Sequence, residues 1–166
     1  MQIGLYANTH GVGYRDDVNN YTRSVPGATL EPVAVAQTAE RNGFHSIWFL
    51  DHVCMPSETK SAHIANQTGA RSYSPRHEML DGAVVMGAVA SATNTIKLGT
   101  SVLVAPYRGP LSDARQFATV DVLSGGRLLL GVGAGWMAEE FDALGVDFAE
   151  RGRRTVECLA ISIVYG

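Results

Sequence analysis

The chain has 166 residues, 46% of them hydrophobic and 17% charged, with a net charge of -3. This suits one globular domain spanning 1–166 with a sizeable core, and thirteen Lys and Arg against sixteen Asp and Glu, with no basic run interleaved with aromatics, argue against a nucleic-acid partner. Two cysteines, Cys54 and Cys158, are too few for a disulfide framework, and with no visible leader or apolar run of about 18 residues the chain reads as cytoplasmic, without a membrane partner.

Gln2 to Tyr6 reads as a short strand, followed by a polar stretch from Ala7 to Ala28. Thr29 is placed to cap a helix with Pro32 in its first turn, an apolar line of Val33, Ala36 and Ala39, and an end at Asn42-Gly43. Ser46 to Leu50 is the second strand, and Asp51 to Arg76 a second long polar loop. A helix from about Glu78 to Ala92 leads to a third strand, Ile96 to Ala105. The next helix, from about Pro110 to Leu123, closes on Ser124-Gly125-Gly126. Arg127 to Trp136 supplies the fourth strand, a short helix runs to Leu144, and the last begins near Ala149 with Val156, Leu159, Ala160 and Ile163 as its apolar face.

Strand-helix alternation of this kind calls for parallel strands and right-handed crossovers. The loops leaving strands one and two exceed twenty residues, whereas the returns from helix to strand are short. In parallel α/β proteins ligands lie at the carboxyl ends of strands, which is where the long loops fall. Chemistry is therefore expected at 7–28, 51–76, 101–108 and 133–140.

In the fourth strand Leu128-Leu-Leu130 runs into glycines at alternating positions, Gly131, Gly133 and Gly135. The glycines admit two readings: room for something flat to approach the backbone, or close packing of the protein on itself. A dinucleotide fingerprint is rejected, because the third glycine it needs is Trp136 and no acid ends a following strand. Asp51-His52 follows the apolar Ile47-Trp-Phe-Leu50 onto the ligand end, where a histidine can exchange a proton near neutral pH and a carboxylate can orient it or meet a cofactor's polar edge. The plainer alternative is a turn-capping Asp beside a solvated His. His52-x-Cys54 has no second ligand pair, so no metal is expected. His10, His63 and His77 lie in loops that could reach the same pocket, and Arg151-Gly-Arg153-Arg154 reads as a solvated helix start.

Ile96-Lys-Leu-Gly-Thr-Ser-Val-Leu-Val-Ala-Pro106 and Ala118-Thr-Val-Asp-Val-Leu-Ser-Gly-Gly-Arg-Leu-Leu-Leu-Gly-Val-Gly-Ala-Gly-Trp136 together resemble the luciferase-like flavin and deazaflavin oxidoreductases. Glu139-Glu-Phe-Asp-Ala-Leu-Gly145 and Phe148-Ala-Glu-Arg-Gly-Arg-Arg154 resemble the branch that uses coenzyme F420. The resemblance implies a (β/α)8 TIM barrel, of which this chain supplies about four units, since the whole fold takes about 250 residues. It implies a non-proline cis peptide and bulge at Ser101-Val102 as a cofactor shelf, Asp51 at the cofactor's polar edge, His52 as proton donor or acceptor, and Ala134 and Gly135 along the cofactor's side. The implied function is hydride transfer between F420 and a small organic substrate. The alternatives are an FMN-dependent monooxygenase, or a non-catalytic half-barrel acting as a flavin-binding or dimerisation module. Open strand edges in a half-barrel imply a truncated form or a homo-oligomer.

Overall fold

The computed structural model describes residues 1–10, 25–62 and 77–165. Four strands, β1 (Gly4–Tyr6), β2 (Ser46–Phe49), β3 (Lys97–Thr100) and β5 (Leu128–Leu129), form a parallel sheet in the order β1-β2-β3-β5. A second parallel pair, β4 (Leu103–Val104) with β6 (Val132–Gly133), continues the last two strands toward the carboxyl end. Helices α1 (Pro32–Arg41), α2 (Gly82–Ala92) and α3 (Pro110–Ser124) return the chain between strands, followed by α4 (Ala138–Ala143) and α5 (Arg151–Tyr165). The expected third strand, 96–105, is thus two strands rather than one. The fourth is divided in the same way.

Register explains the division. Leu98 pairs with Leu128 and Gly99 with Leu129, and the next pairs are Leu103 with Val132 and Val104 with Gly133. Residues 100–102 on one side therefore face only 130–131 on the other, a one-residue bulge. Ser101 N–H donates to the Phe49 carbonyl at 2.7 Å and Leu103 N–H to that of Gly131 at 2.7 Å. The peptide between Ser101 and Val102 is cis.

Side chains alternate across β2. Ile47 and Phe49, both 0% exposed, enter the core with Ala36, Met86, Val89 and Leu98. Trp48 lies on the opposite, inner face of the sheet, its indole N–H donating to Ser46 Oγ at 2.9 Å. A Cβ on Gly99 would stand 2.3 Å from the Trp48 ring and one on Gly4 2.7 Å from its Nε1, so the ring lies across both neighbouring strands.

The glycine series also has a steric cause. A Cβ at Gly131 would lie 2.4 Å from the Thr100 carbonyl oxygen, at Gly133 2.7 Å from Val102 Cγ2, and at Gly135 2.7 Å from Val104 Cγ1. The space is filled by the neighbouring strand, which favours close packing of the protein on itself over an opening for a ligand.

Several ends differ from expectation. Thr29 does not cap α1; its hydroxyl donates to the Pro26 carbonyl within a 3-10 turn, Gly27–Leu30, and Glu31 enters the helix at φ 43°. α2 begins at Gly82, because Asp81 accepts from Val84 N–H and so sets the cap later than Glu78. On α5 the apolar stripe faces outward, with Val156 67%, Leu159 40% and Ile163 83% exposed, while Cys158 is buried and donates to the Ala105 carbonyl.

Two polar side chains fix the returns into β3 and β5. Glu40 Oε1 accepts from the backbone N–H groups of Asn94, Thr95 and Ile96. Burial alone would raise its pKa, but these donors outweigh that and lower it to about 2. Arg127 is 7% exposed and donates to the carbonyls of Ala90, Thr93, Ile96 and Ser124 and to Thr93 Oγ1, joining the end of α2 to the start of β3.

Gly131→Ala forces a methyl onto backbone and is expected to lower stability by about 1 to 3 kcal/mol in urea unfolding. Arg127→Met keeps the aliphatic stem but strands buried carbonyls, an expected loss of about 3 kcal/mol or more. A depressed folded pKa contributes stability above the unfolded value and loses it as pH falls. Glu40→Gln should therefore flatten the fall in stability that the native protein shows on acidification from 4.5 toward about 2.

Candidate active site

The end of β2 carries Asp51 and His52 past the carboxyl edge of the sheet. Asp51 is 7% exposed, with Oδ2 accepting from Val104 N–H at 2.9 Å and Arg108 closing on both oxygens at 2.9 and 2.5 Å. Burial would lower the Arg108 pKa, but its hydrogen bonds and charge pairing with Asp51 raise it. The Asp51 carboxylate is therefore directed into the protein, where it ties β2 to β4 across the bulge. Nearby Asp113, 4% exposed, has no hydrogen-bond partner on either carboxyl oxygen; burial pushes it up to about 6 against the opposing pull of Arg108.

His52 is brought to Glu140. Its Nδ1 lies 2.8 Å from Glu140 Oε2, and the Glu140 side chain is completely buried. Tyr107 O–H donates to the same oxygen at 2.8 Å, while Val53 and Cys54 N–H donate to Oε1 at 2.6 and 3.1 Å. Burial acts to raise the Glu140 pKa, yet the His52 contact, Tyr107 and the backbone donors prevail and hold it below the usual carboxylate range. An ionised carboxylate only accepts, so His52 Nδ1 carries the proton of this bond. Burial, then the neighbouring Glu140, pushes the Tyr107 hydroxyl upward, and its proton stays in place.

Packing aims these groups. Tyr107 and Phe141 meet edge to face with centroids 4.7 Å apart, Phe141 meets Phe148 at 5.2 Å, and Arg151 lies 3.9 Å over the Phe148 ring. The adjacent Glu139 accepts from the N–H groups of Lys60 and Ser61, and Ser61 Oγ accepts from Ala138 N–H at 3.1 Å. Here too the backbone donors overcome burial and lower the carboxyl to about 2. Two consecutive glutamates thus pin both ends of the segment 53–61.

Among the other histidines, His10 stands edge to face with His52 at 5.7 Å, lowered to about 4 by burial and then by repulsion from His52 and His77. His77 is lowered by burial alone. His63 lies outside the described residues. Ser101 and Val102 are exposed at the bulge, the latter to 42%. Ala134 and Gly135 follow β6 to the same end of the sheet, but Gly135, at φ 83°, meets Val104 and Phe141 where a side chain would begin. Among the described residues no cluster could hold a metal ion, and no helix is long and apolar enough to cross a membrane.

Glu140, Tyr107 and Arg108 are the residues that motif reading passes over. Glu140 had a signal: Met137, Glu140, Phe141 and Leu144 share one helical face, so a carboxylate occupies a core position between apolar neighbours. Tyr107 and Arg108 had none, since their roles depend on how the turn after β4 folds.

Comparison with known proteins places this geometry. Residues 13–162 match the family described as luciferase-like monooxygenase. An uncharacterised protein of Mycobacterium tuberculosis is 28% identical over 148 residues, covering 89% of this chain and 49% of the relative, so the chain spans about half that relative's length. Two solved structures share the fold. One is the oxygenating constituent of 3,6-diketocamphane monooxygenase from Pseudomonas putida in complex with FMN (TM-score 0.68, 18% identity, covering 98% of this chain and 38% of that one). The other is an F420-dependent secondary alcohol dehydrogenase in complex with an F420-acetone adduct (TM-score 0.64, 23% identity, covering 97% and 40%). The parallel sheet with its alternating helices is the luciferase-like TIM-barrel arrangement, and the chain belongs to the luciferase-like monooxygenase family.

Proposed function

We propose that this chain carries the proton-transfer half of an F420-dependent oxidoreductase site acting on a small organic substrate. The observation that supports it is the nearly buried His52, with Nδ1 held by an ionised carboxylate, at the same end of the sheet as the exposed Ser101-Val102 bulge. A deazaflavin supplies hydride chemistry when bound. The residues fit such a group in part. The bulge offers an uncovered backbone shelf, and Ala134 flanks it; Asp51, engaged by Arg108 and Val104, is a support beneath the shelf rather than a cofactor contact.

When a substrate alcohol is oxidised, the carbon bearing the hydroxyl gives up a hydride, which a bound deazaflavin would take, and the hydroxyl gives up a proton. His52 accepts the proton at Nε2, forming an imidazolium that the Glu140 charge stabilises across a 2.8 Å hydrogen bond. In the reverse direction the same nitrogen returns it. The FMN-dependent monooxygenase is the second reading, favoured by the family description and by the FMN-bound relative of the same fold. Reduced flavin reacts with oxygen, which a deazaflavin does not readily do, so oxygen uptake separates the two.

Fluorescence titration of the purified chain with F420 and in parallel with FMN is expected to show saturable binding of F420. His52→Ala should lower hydride transfer by about 100-fold or more while leaving the cofactor dissociation constant unchanged. Binding of neither cofactor would leave a structural or dimerisation module as the surviving reading.

A further inference from the structure

We propose that Glu140 is a positioning residue for proton transfer, holding His52 in the Nδ1–H tautomer and confining proton exchange to Nε2. This deepens the preceding assignment and rests on His52 being the group that exchanges the proton.

A buried carboxylate is stable only when its lone pairs are taken up. Glu140 meets that demand with donors from three places: Val53 and Cys54 N–H on Oε1, Tyr107 O–H and His52 Nδ1–H on Oε2. Three of the four belong to groups that keep their protons at neutral pH, the two amides and a hydroxyl that burial pushes upward. Glu140, held below the usual carboxylate range, is ionised and only accepts, so the fourth contact also comes from a protonated nitrogen, which orients the imidazole and fixes its tautomer. Glu140 does more than brace the loop, because its negative charge lies against the ring that becomes cationic during the reaction.

Among the described residues, the other ionisable neighbours do not compete for that role. His10 faces the ring edge to face, but burial and His52 itself keep it neutral. Asp51, on the same loop, is engaged by Arg108, and Cys54 is pushed upward by burial and then by Glu140. His77, also lowered by burial, adds no cation at neutral pH.

The test is heteronuclear NMR of histidine-labelled, cofactor-free protein across a pH series, supported by the pH profile of hydride transfer. In the native chain His52 should show a pyrrole-type Nδ1 and a pyridine-type Nε2 when neutral. Glu140→Gln keeps an oxygen for Val53 and Cys54 but presents an amide N–H to the ring. It should invert the tautomer, leaving Nδ1 pyridine-type and Nε2 pyrrole-type, and lower hydride transfer across the whole pH profile with cofactor binding unchanged. Tyr107→Phe retains the ring contact with Phe141 and removes one donor but leaves the carboxylate, so the Nδ1–H tautomer should persist. Should Glu140→Gln fail to fold, Tyr107→Phe decides, and a pyridine-type Nδ1 in that variant, where the carboxylate remains, overturns the proposal. An unchanged tautomer in folded Glu140→Gln also overturns it. Absence of cofactor binding together with the expected NMR changes would remove the reaction assignment and leave the positioning geometry supported.

Discussion

The carboxyl end of this sheet is organised around the buried carboxylate of Glu140. Glu140 is contributed by α4, yet its four donors come from the loop after β2 and the turn after β4. Removing the side chain would take this acceptor from two backbone amides, a phenol and an imidazole. Hence the site is the place where strand ends are locked together, and His52 inherits its orientation from that lock.

Asp51 performs the complementary task one residue earlier. By accepting from Val104 and Arg108 it ties β2 to the far side of the bulge, so Ser101 and Val102 project between two anchored segments. Two neighbouring residues of opposite destiny result: the carboxylate faces the protein and the imidazole faces Glu140. Sequence adjacency alone assigns both to the ligand. Their hydrogen-bond partners separate them.

Parallel order and helix positions were legible because periodicity and chain connectivity report them directly. The Ser101-Val102 bulge was legible only through resemblance, since Thr-Ser-Val-Leu-Val reads as continuous strand to any pattern of hydrophobicity. The glycines of 131–135 were visible but their cause was not, because it lies in Thr100, Val102 and Val104 on another strand. Periodicity on α5 named Val156, Leu159 and Ile163 as an apolar stripe but does not say where it points, and the helix packs through Cys158 while the stripe is exposed. Arg127 looked like the edge of a tight turn, and only the folded arrangement of four carbonyls around it reveals a buried guanidinium. What escapes a linear reading is long-range partnership, and the polar residues of this site act through little else.

The indole of Trp48 carries a consequence for how such a sequence can drift. It rests on Gly99 and Gly4, with no room for a methyl group on either. One ring serves as inner-face cover for three strands, so a larger residue at position 99 requires a smaller one at position 48, and one at position 4 requires room from Ser46 as well, whose Oγ stands 2.7 Å from where a side chain would begin. A smaller residue at 48 in turn leaves Gly99 bare. Positions 48 and 99 therefore form a single heritable unit, to which position 4 is joined through Ser46, and divergence among homologous barrels that keep this floor should change them together or leave them alone.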